Sequence, residues 1–122
     1  MSRGDPLRVR DYLEHIAHAI ANIQEYTAGM SAAAFLAEKK TQDAVVRNFE
    51  VIGEACNSVT THHPGFAADH AEIPWNTAYE MRNALAHGYF KIDQGIVWRT
   101  IQADLPALAS AVSAALTSFP PA

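Results

Sequence analysis

The chain has 122 residues, of which 49% are apolar and 18% charged, and a formal net charge of −4 at pH 7. This length is typical of one domain, expected here over residues 1–122, with a core large enough to fold without disulfides. The negative charge excludes capture of nucleic acid by a broad basic surface, and no apolar run approaches the ~20 residues of a membrane span, so we expect a cytoplasmic protein without membrane contact.

An apolar stripe predicts the first helix. Asp5 is a good N-cap and Pro6 suits the first helical position, so we expect the helix to begin there. Apolar residues then recur at steps of three and four, and Gly29 ends the helix. The stripe consists of Val9, Leu13, Ile16, Ile20 and Ile23. A short amphipathic piece follows from Ser31 to Lys39.

A second stripe predicts a long helix that begins at Thr41 or Gln42 and ends before Pro64. This stripe consists of Val45, Phe49, Ile52, Cys56 and Val59. Gly53 lies inside the helix, where glycine costs about 1 kcal/mol of helix propensity, so we expect a neighbouring helix to approach it closely. The lone Cys56 is expected to be a buried core residue in a reducing compartment, in preference to a reactive thiol.

Residues 62–74 are predicted to form the main loop. Three histidines and an aspartate suggest a metal site there, but their spacing fits no defined ligand pattern, so no metal or other cofactor is expected.

Next come a helix from Trp75 to about His87 and a final helix from Asp93 to Ser118, which Pro106 should kink or split at Asp104. No segment alternates with period two. The predicted fold is therefore all-α, an antiparallel bundle of four long helices plus one short helix.

The segment from Met81 to Phe90 carries most of the functional information. Arg82 lies five residues before His87; arginine is a planar phosphate binder, and histidine is best suited to moving protons near pH 7. Such a pair can cleave a phosphodiester without a metal.

On a helical wheel the core face consists of Trp75, Ala78, Met81 and Leu85, and the opposite polar face of Asn76, Glu80, Asn83 and His87. Neither Arg82 nor His87 lies on the core face, so we expect both to tolerate replacement by alanine. Asn83 precedes His87 by one turn, within range to orient its ring.

The spacing of Arg82, His87 and Tyr89 resembles the R-x4-H-x-Y signature of HEPN domains, and of the HepT-like toxins of prokaryotic toxin–antitoxin pairs in particular. Further segments resemble the same family, in the expected order, across roughly residues 5 to 117. They are Asp11 to Ile20, Gly53-Glu54-Ala55, Ile73-Pro74-Trp75, and Val97-Trp98 together with Asp104 to Leu108.

The resemblance implies a ribonuclease toxin that uses the substrate's own 2′-hydroxyl, so DNA should be a poor substrate. It implies that Arg82 holds the phosphate and that His87 acts as general base or general acid. Glu54 and Glu80 are candidates to orient Arg82, although an ordinary place on a helix surface is equally consistent with the sequence. Tyr89 resembles the site to which a partner nucleotidyltransferase of the MntA type transfers AMP, which would make that enzyme the antitoxin.

The resemblance also implies a homodimer. On one helix, Arg82 and His87 are separated by about 140° and by about 7.5 Å of rise, so they do not share a face. A two-fold dimer would bring both copies of the motif helix together and pool two arginines and two histidines in one cleft.

Two other functions are weighed against the enzyme. The first is a binding module, a non-catalytic helical partner or scaffold of a nucleotidyltransferase, which the acidic net charge favours. The second is a stand-alone helical dimerisation protein, which explains the apolar stripes but not the motif. The combination of Arg82, His87 and Tyr89 favours the enzyme, because a scaffold has no need of all three.

Overall fold

The chain is almost entirely helical in a computed structural model that describes residues 8–87 and 92–119. Within those two ranges there are seven helices and no strand. In chain order they are α1 (Val9–Thr27), α2 (Ala32–Ala37), α3 (Lys39–His62), α4 (Pro64–Asp69), α5 (Trp75–His87), α6 (Gln94–Ala103) and α7 (Leu105–Thr117). The all-α fold predicted from the sequence is confirmed.

Both predicted stripes are buried, apart from Val9, which is partly buried. Leu13, Ile16 and Ile23 of α1 are fully enclosed, and α3 contributes buried residues at the expected spacing. The start of α1 differs from the prediction, because Arg8 is extended and the helix begins at Val9; the predicted cap at Asp5-Pro6 lies outside the described residues. Gly29 has a φ of +74°, a left-handed conformation that glycine adopts without strain, and it follows the end of α1 as expected.

The short helices show where the sequence prediction was incomplete. For α2, the Ser31 hydroxyl caps the helix by accepting a hydrogen bond from the Ala34 amide at 3.1 Å. The segment 62–74, predicted as a loop, contains a second short helix, α4, with Pro64 in its first turn. Proline suits that position because its missing amide would have no helical partner there. The start of α3, at Lys39, also precedes the predicted one.

The helices pack in the spatial order α7, α1, α3, α5 around one hydrophobic core, with α6 joined to α7. The final helix is split at Asp104, with Pro106 in the first turn of α7, as the sequence predicted. The contacts of α5 are mainly with α3, so α5 lies at the edge of the bundle. No described helix combines the length and the apolar character needed to cross a bilayer.

Candidate functional site

Helix α5 is anchored at its start and carries both motif residues. The indole Nε1 of Trp75 donates hydrogen bonds to the carbonyls of Ala67, at 3.2 Å, and His70, at 3.1 Å, which fastens α5 to α4. Trp75 and Leu85 are buried, as expected for the core face. The opposite face is polar and open to solvent, and its exposed members include Asn76, Glu80 and His87.

The guanidinium of Arg82 is held by two neighbours. Its Nη2 lies 2.5 Å from Oε1 of Glu54 on α3, and its Nη1 donates a hydrogen bond of 2.9 Å to Oδ1 of Asn83. The third nitrogen, Nε, is buried and has no hydrogen-bond partner within the described parts of the chain. The Arg82 side chain is 27% exposed and that of Glu54 is 53% exposed, so solvent reaches this pair from the Glu54 side. These two contacts fix the orientation of the guanidinium.

The stem of Arg82 packs against α3. A Cβ atom added to Gly53 would overlap the Cβ of Arg82 and would stand 2.8 Å from the carbonyl oxygen of Ala78. The close helix approach expected at Gly53 is therefore present, and it occurs at the motif arginine. This corrects the expectation that Arg82 lies clear of the packed face. The wheel places it beside the core residues, and its aliphatic stem is covered while its charged end reaches the surface.

The ring of His87 is fixed by its own helix. Its Nδ1 lies 2.9 Å from the backbone carbonyl oxygen of Asn83. Because a carbonyl oxygen only accepts hydrogen bonds, Nδ1 must carry the proton, and Nε2 is the nitrogen left for a substrate. A neutral ring would then accept a proton at Nε2, and a protonated ring would donate one there.

Asn83 contacts the ring of His87, as expected, but through its backbone carbonyl. Its side-chain amide oxygen instead accepts a hydrogen bond from Arg82. The contact with Arg82 was missed because adjacent helical residues point in different directions and nothing in the sequence signals that their side chains meet.

The remaining candidates are placed as follows. Glu80 is exposed and makes no ion pair with any described residue, so of the two acidic candidates only Glu54 reaches Arg82. Tyr89 lies outside the described residues. Among the residues that are described, no three histidine, cysteine, aspartate or glutamate side chains come together as metal ligands would. Cys56 is buried, and burial raises the pKa of its thiol to about 12, which keeps it protonated and unreactive near neutral pH.

A cleft of about 440 Å³ lies between α5 and the junction of α6 and α7. Its walls are mainly apolar and include Phe49, Ile52, Met81 and Leu108. Neither Arg82 nor His87 lines it, so the groups suited to phosphate chemistry lie elsewhere on α5.

Comparisons with known proteins find similar sequences. A family model described as "Ribonuclease HepT-like" matches residues 16–115. The chain is 43% identical over 99 residues to a protein of Thermococcus cleftensis named "Probable ribonuclease HepT", covering 81% of this chain and 87% of that one. It is 34% identical over 99 residues to a "Putative RNase" of Caldanaerobacter subterraneus, covering 81% of this chain and 86% of that protein. A third relative, from Methanocaldococcus jannaschii and named "Gamma-glutamylcyclotransferase and putative RNase", is 38% identical over 100 residues, covering 82% of this chain but 44% of its own length. No solved structure matches the chain significantly.

Proposed function

Because this chain belongs to the HepT-like ribonuclease family, we propose that it is an endoribonuclease that cleaves RNA without a metal ion. The observation that supports this most directly is the fixed ring of His87, which is exposed and whose Nε2 makes no hydrogen bond to any residue in the described ranges. Arg82, five residues earlier on the same helix, supplies an aligned guanidinium for the phosphate.

The reaction proposed is attack of the 2′-oxygen of a ribose on the adjacent phosphorus. The bond from phosphorus to the 5′-oxygen breaks, which leaves a 2′,3′-cyclic phosphate and a 5′-hydroxyl. Arg82 stabilises the negative charge that grows on the phosphate oxygens in the transition state. His87 moves one of the two protons involved, a contribution of typically 10²–10⁴-fold. DNA lacks the 2′-hydroxyl and should not be cleaved.

The active form proposed is a homodimer. Arg82 and His87 point in directions about 140° apart on α5, so a single copy of the helix does not aim both at one phosphate. Helix α5 lies at the edge of the bundle, and its polar face, which includes Asn76, Glu80 and His87, is exposed. Two such faces related by a two-fold axis would bring the arginine of one protomer near the histidine of its partner.

The biological role proposed is that of a toxin controlled by an antitoxin. Tyr89 follows His87 by two residues, and a nucleotidyltransferase of the MntA type is the proposed partner that transfers AMP to its hydroxyl. Each AMP would add negative charge and bulk two residues after His87 in the sequence, and its phosphate would compete with RNA for Arg82.

The test is cleavage of a labelled RNA by the purified full chain, with and without EDTA. We expect cleavage to be insensitive to EDTA and to fall by about 10²-fold or more in His87→Ala, because the proton-transfer group is lost. His18→Ala is the matched control, since His18 is exposed on α1 and should be dispensable. Equal cleavage by His87→Ala and the parent would refute the assignment of His87, and loss of activity in EDTA would refute the metal-free reaction.

One observation favours a second function. The charge of Arg82 is already paired with Glu54, and the chain carries a net charge of −4, as suits a non-catalytic scaffold for a nucleotidyltransferase. The same assay separates the two functions. A chain that binds a nucleotidyltransferase stably but cleaves no RNA, with or without added divalent metal, would be the scaffold.

A further inference from the structure

We infer that Glu54 is the general base of the cleavage reaction, taking the proton of the attacking 2′-hydroxyl, while His87 supplies the proton to the leaving oxygen. This inference rests on the proposed ribonuclease activity. It gives Glu54 a direct chemical role beyond holding Arg82 in place.

The position of the carboxylate is the first support. Its Oε1 lies 2.5 Å from Nη2 of Arg82, the residue proposed to bind the phosphate. A phosphate that meets this guanidinium therefore comes next to the carboxylate as well. The attacking 2′-oxygen belongs to the ribose attached to that phosphate, so it enters the same space. The Glu54 side chain is 53% exposed, so its carboxylate is accessible from solvent.

The second support is the number of proton transfers. The reaction requires a group that accepts a proton from the 2′-hydroxyl and a group that donates one to the 5′-oxygen. One imidazole serves only one of these roles in a given step, and the Nδ1 of His87 is already committed to the carbonyl of Asn83. An ionised carboxylate accepts protons and has none to donate, so its natural role is that of the base.

The proposed step is balanced within the substrate and these two residues. The 2′-hydroxyl gives its proton to Glu54 as the 2′-oxygen bonds to phosphorus. The bond between phosphorus and the 5′-oxygen breaks, and that oxygen takes the Nε2 proton of the protonated His87 ring. Glu54 and His87 then return to their starting protonation states by exchange with water.

The first test compares Glu54→Gln with the parent over a range of pH. Glutamine keeps the size of the side chain and an oxygen that accepts from Arg82, but it is not a proton acceptor at these pH values. We expect kcat to fall by about 10²–10⁴-fold and the decline of kcat at low pH to disappear. Glu54→Asp should keep that decline and recover part of the rate. Glu25→Gln, at an exposed position on α1, should match the parent.

The second test uses an RNA in which sulfur replaces the leaving 5′-oxygen. A thiolate leaves without protonation, so His87→Ala should cleave this substrate nearly as fast as the parent does, whereas Glu54→Gln should stay slow. If Glu54→Gln retains the decline of kcat at low pH and raises only KM, the carboxylate merely positions Arg82 and the inference is overturned. If the parent cleaves neither substrate, it is the proposed ribonuclease function that fails.

Discussion

Gly53 of α3 packs against the Cβ of Arg82, so the first carbon of the arginine side chain lies against the backbone of α3 at a position without a side chain. The distance between α3 and α5 therefore fixes the position of the Arg82 Cβ, and the contacts with Glu54 and Asn83 fix the direction of the guanidinium. The glycine that weakens α3 locally is the residue that lets the guanidinium reach its partners.

Replacing Gly53 with alanine should harm both stability and activity. The added methyl group overlaps Arg82 and forces the helices apart, a type of overpacking that costs about 1–3 kcal/mol. The gain in helix propensity, about 1 kcal/mol, offsets only part of that. Urea denaturation should show a lower free energy of unfolding, and the rate of RNA cleavage should also fall. Gly65→Ala is the control, because a Cβ there has no heavy atom within 4 Å. Equal stability and activity of the two variants would contradict this account.

Removing the side chain of Asn83 should weaken RNA binding more than it slows the chemical step. Asn83→Ala frees Nη1 of Arg82 but leaves intact the backbone carbonyl that holds His87. We expect KM to rise about tenfold, since a hydrogen bond to a charged group contributes on the order of 1.5 kcal/mol, with kcat nearly unchanged. Steady-state kinetics of Asn83→Ala, compared with the control variant Gln24→Ala at an exposed position on α1, measure both constants. A fall in kcat at constant KM would show that the amide acts on the ring instead.

Mixing two inactive variants should restore activity if the site is shared between protomers. In a mixed dimer of Arg82→Ala and His87→Ala, one cleft has lost both groups and the other keeps an intact arginine and histidine. After unfolding and refolding at equal amounts, half of the dimers are mixed, so we expect about a quarter of the parent activity. Each variant alone should be inactive. Failure of the mixture to recover any activity, with dimers present by sedimentation, would place the whole site within one protomer.

Tyr89→Phe should resist covalent neutralisation. Coexpression with the proposed nucleotidyltransferase of the MntA type should add one or more AMP units to the parent, visible by intact-mass spectrometry, and none to the variant. Cleavage by the variant should continue in the presence of the proposed partner, because phenylalanine has no hydroxyl that can accept AMP. Modification of the variant at another residue would contradict the assignment of Tyr89, and full neutralisation without modification would mean that the proposed antitoxin acts by blocking access.

Alkaline pH should destabilise the parent more than a variant without Cys56. Burial raises the pKa of the Cys56 thiol from 9.0 to about 12, so the unfolded chain loses this proton at lower pH than the folded chain does. The contribution of the protonated Cys56 thiol to the free energy of unfolding is complete below pH 9.0 and is lost as pH rises towards about 12. Urea denaturation of the parent and Cys56→Ala from pH 8 to 11 measures this. The free energy of unfolding should decline more steeply with pH for the parent, by at most about 1.4 kcal/mol per pH unit. Equal slopes for the two proteins would contradict the prediction.

The long helices could be predicted because burial imposes a period that the sequence displays. The stripes of α1 and α3 recur at steps of three and four, and Pro106 marks the break between α6 and α7. Helix α4 was not predicted, because six residues beginning with Pro64-Gly65 are too short to show a period and have the composition of a loop. The starts of α1 and α3 were off by two or three residues, since capping depends on the conformation of single residues such as Arg8.

At the site, the sequence indicated which residue types come near each other but not how they are oriented. A helical wheel gives the direction of a Cβ atom, so it separated the core face of α5 from its polar face. It does not give side-chain rotamers, and the turn of Asn83 towards Arg82 was missed for that reason. Gly53 and Glu54 were singled out in α3, but their register against Arg82 depends on the packing of two helices far apart in sequence.

The anchoring of His87 by its own helix has a thermal consequence. The carbonyl of Asn83 that holds Nδ1 is also one turn back from the His87 backbone, so the ring keeps its orientation only while the last turn of α5 remains wound. Helix ends fray at far lower free energy than a core unfolds, and α5 is supported mainly along its side facing α3. On warming, the ring should therefore become disoriented while the bundle is still folded, and the enzyme should be inactivated reversibly below its melting temperature.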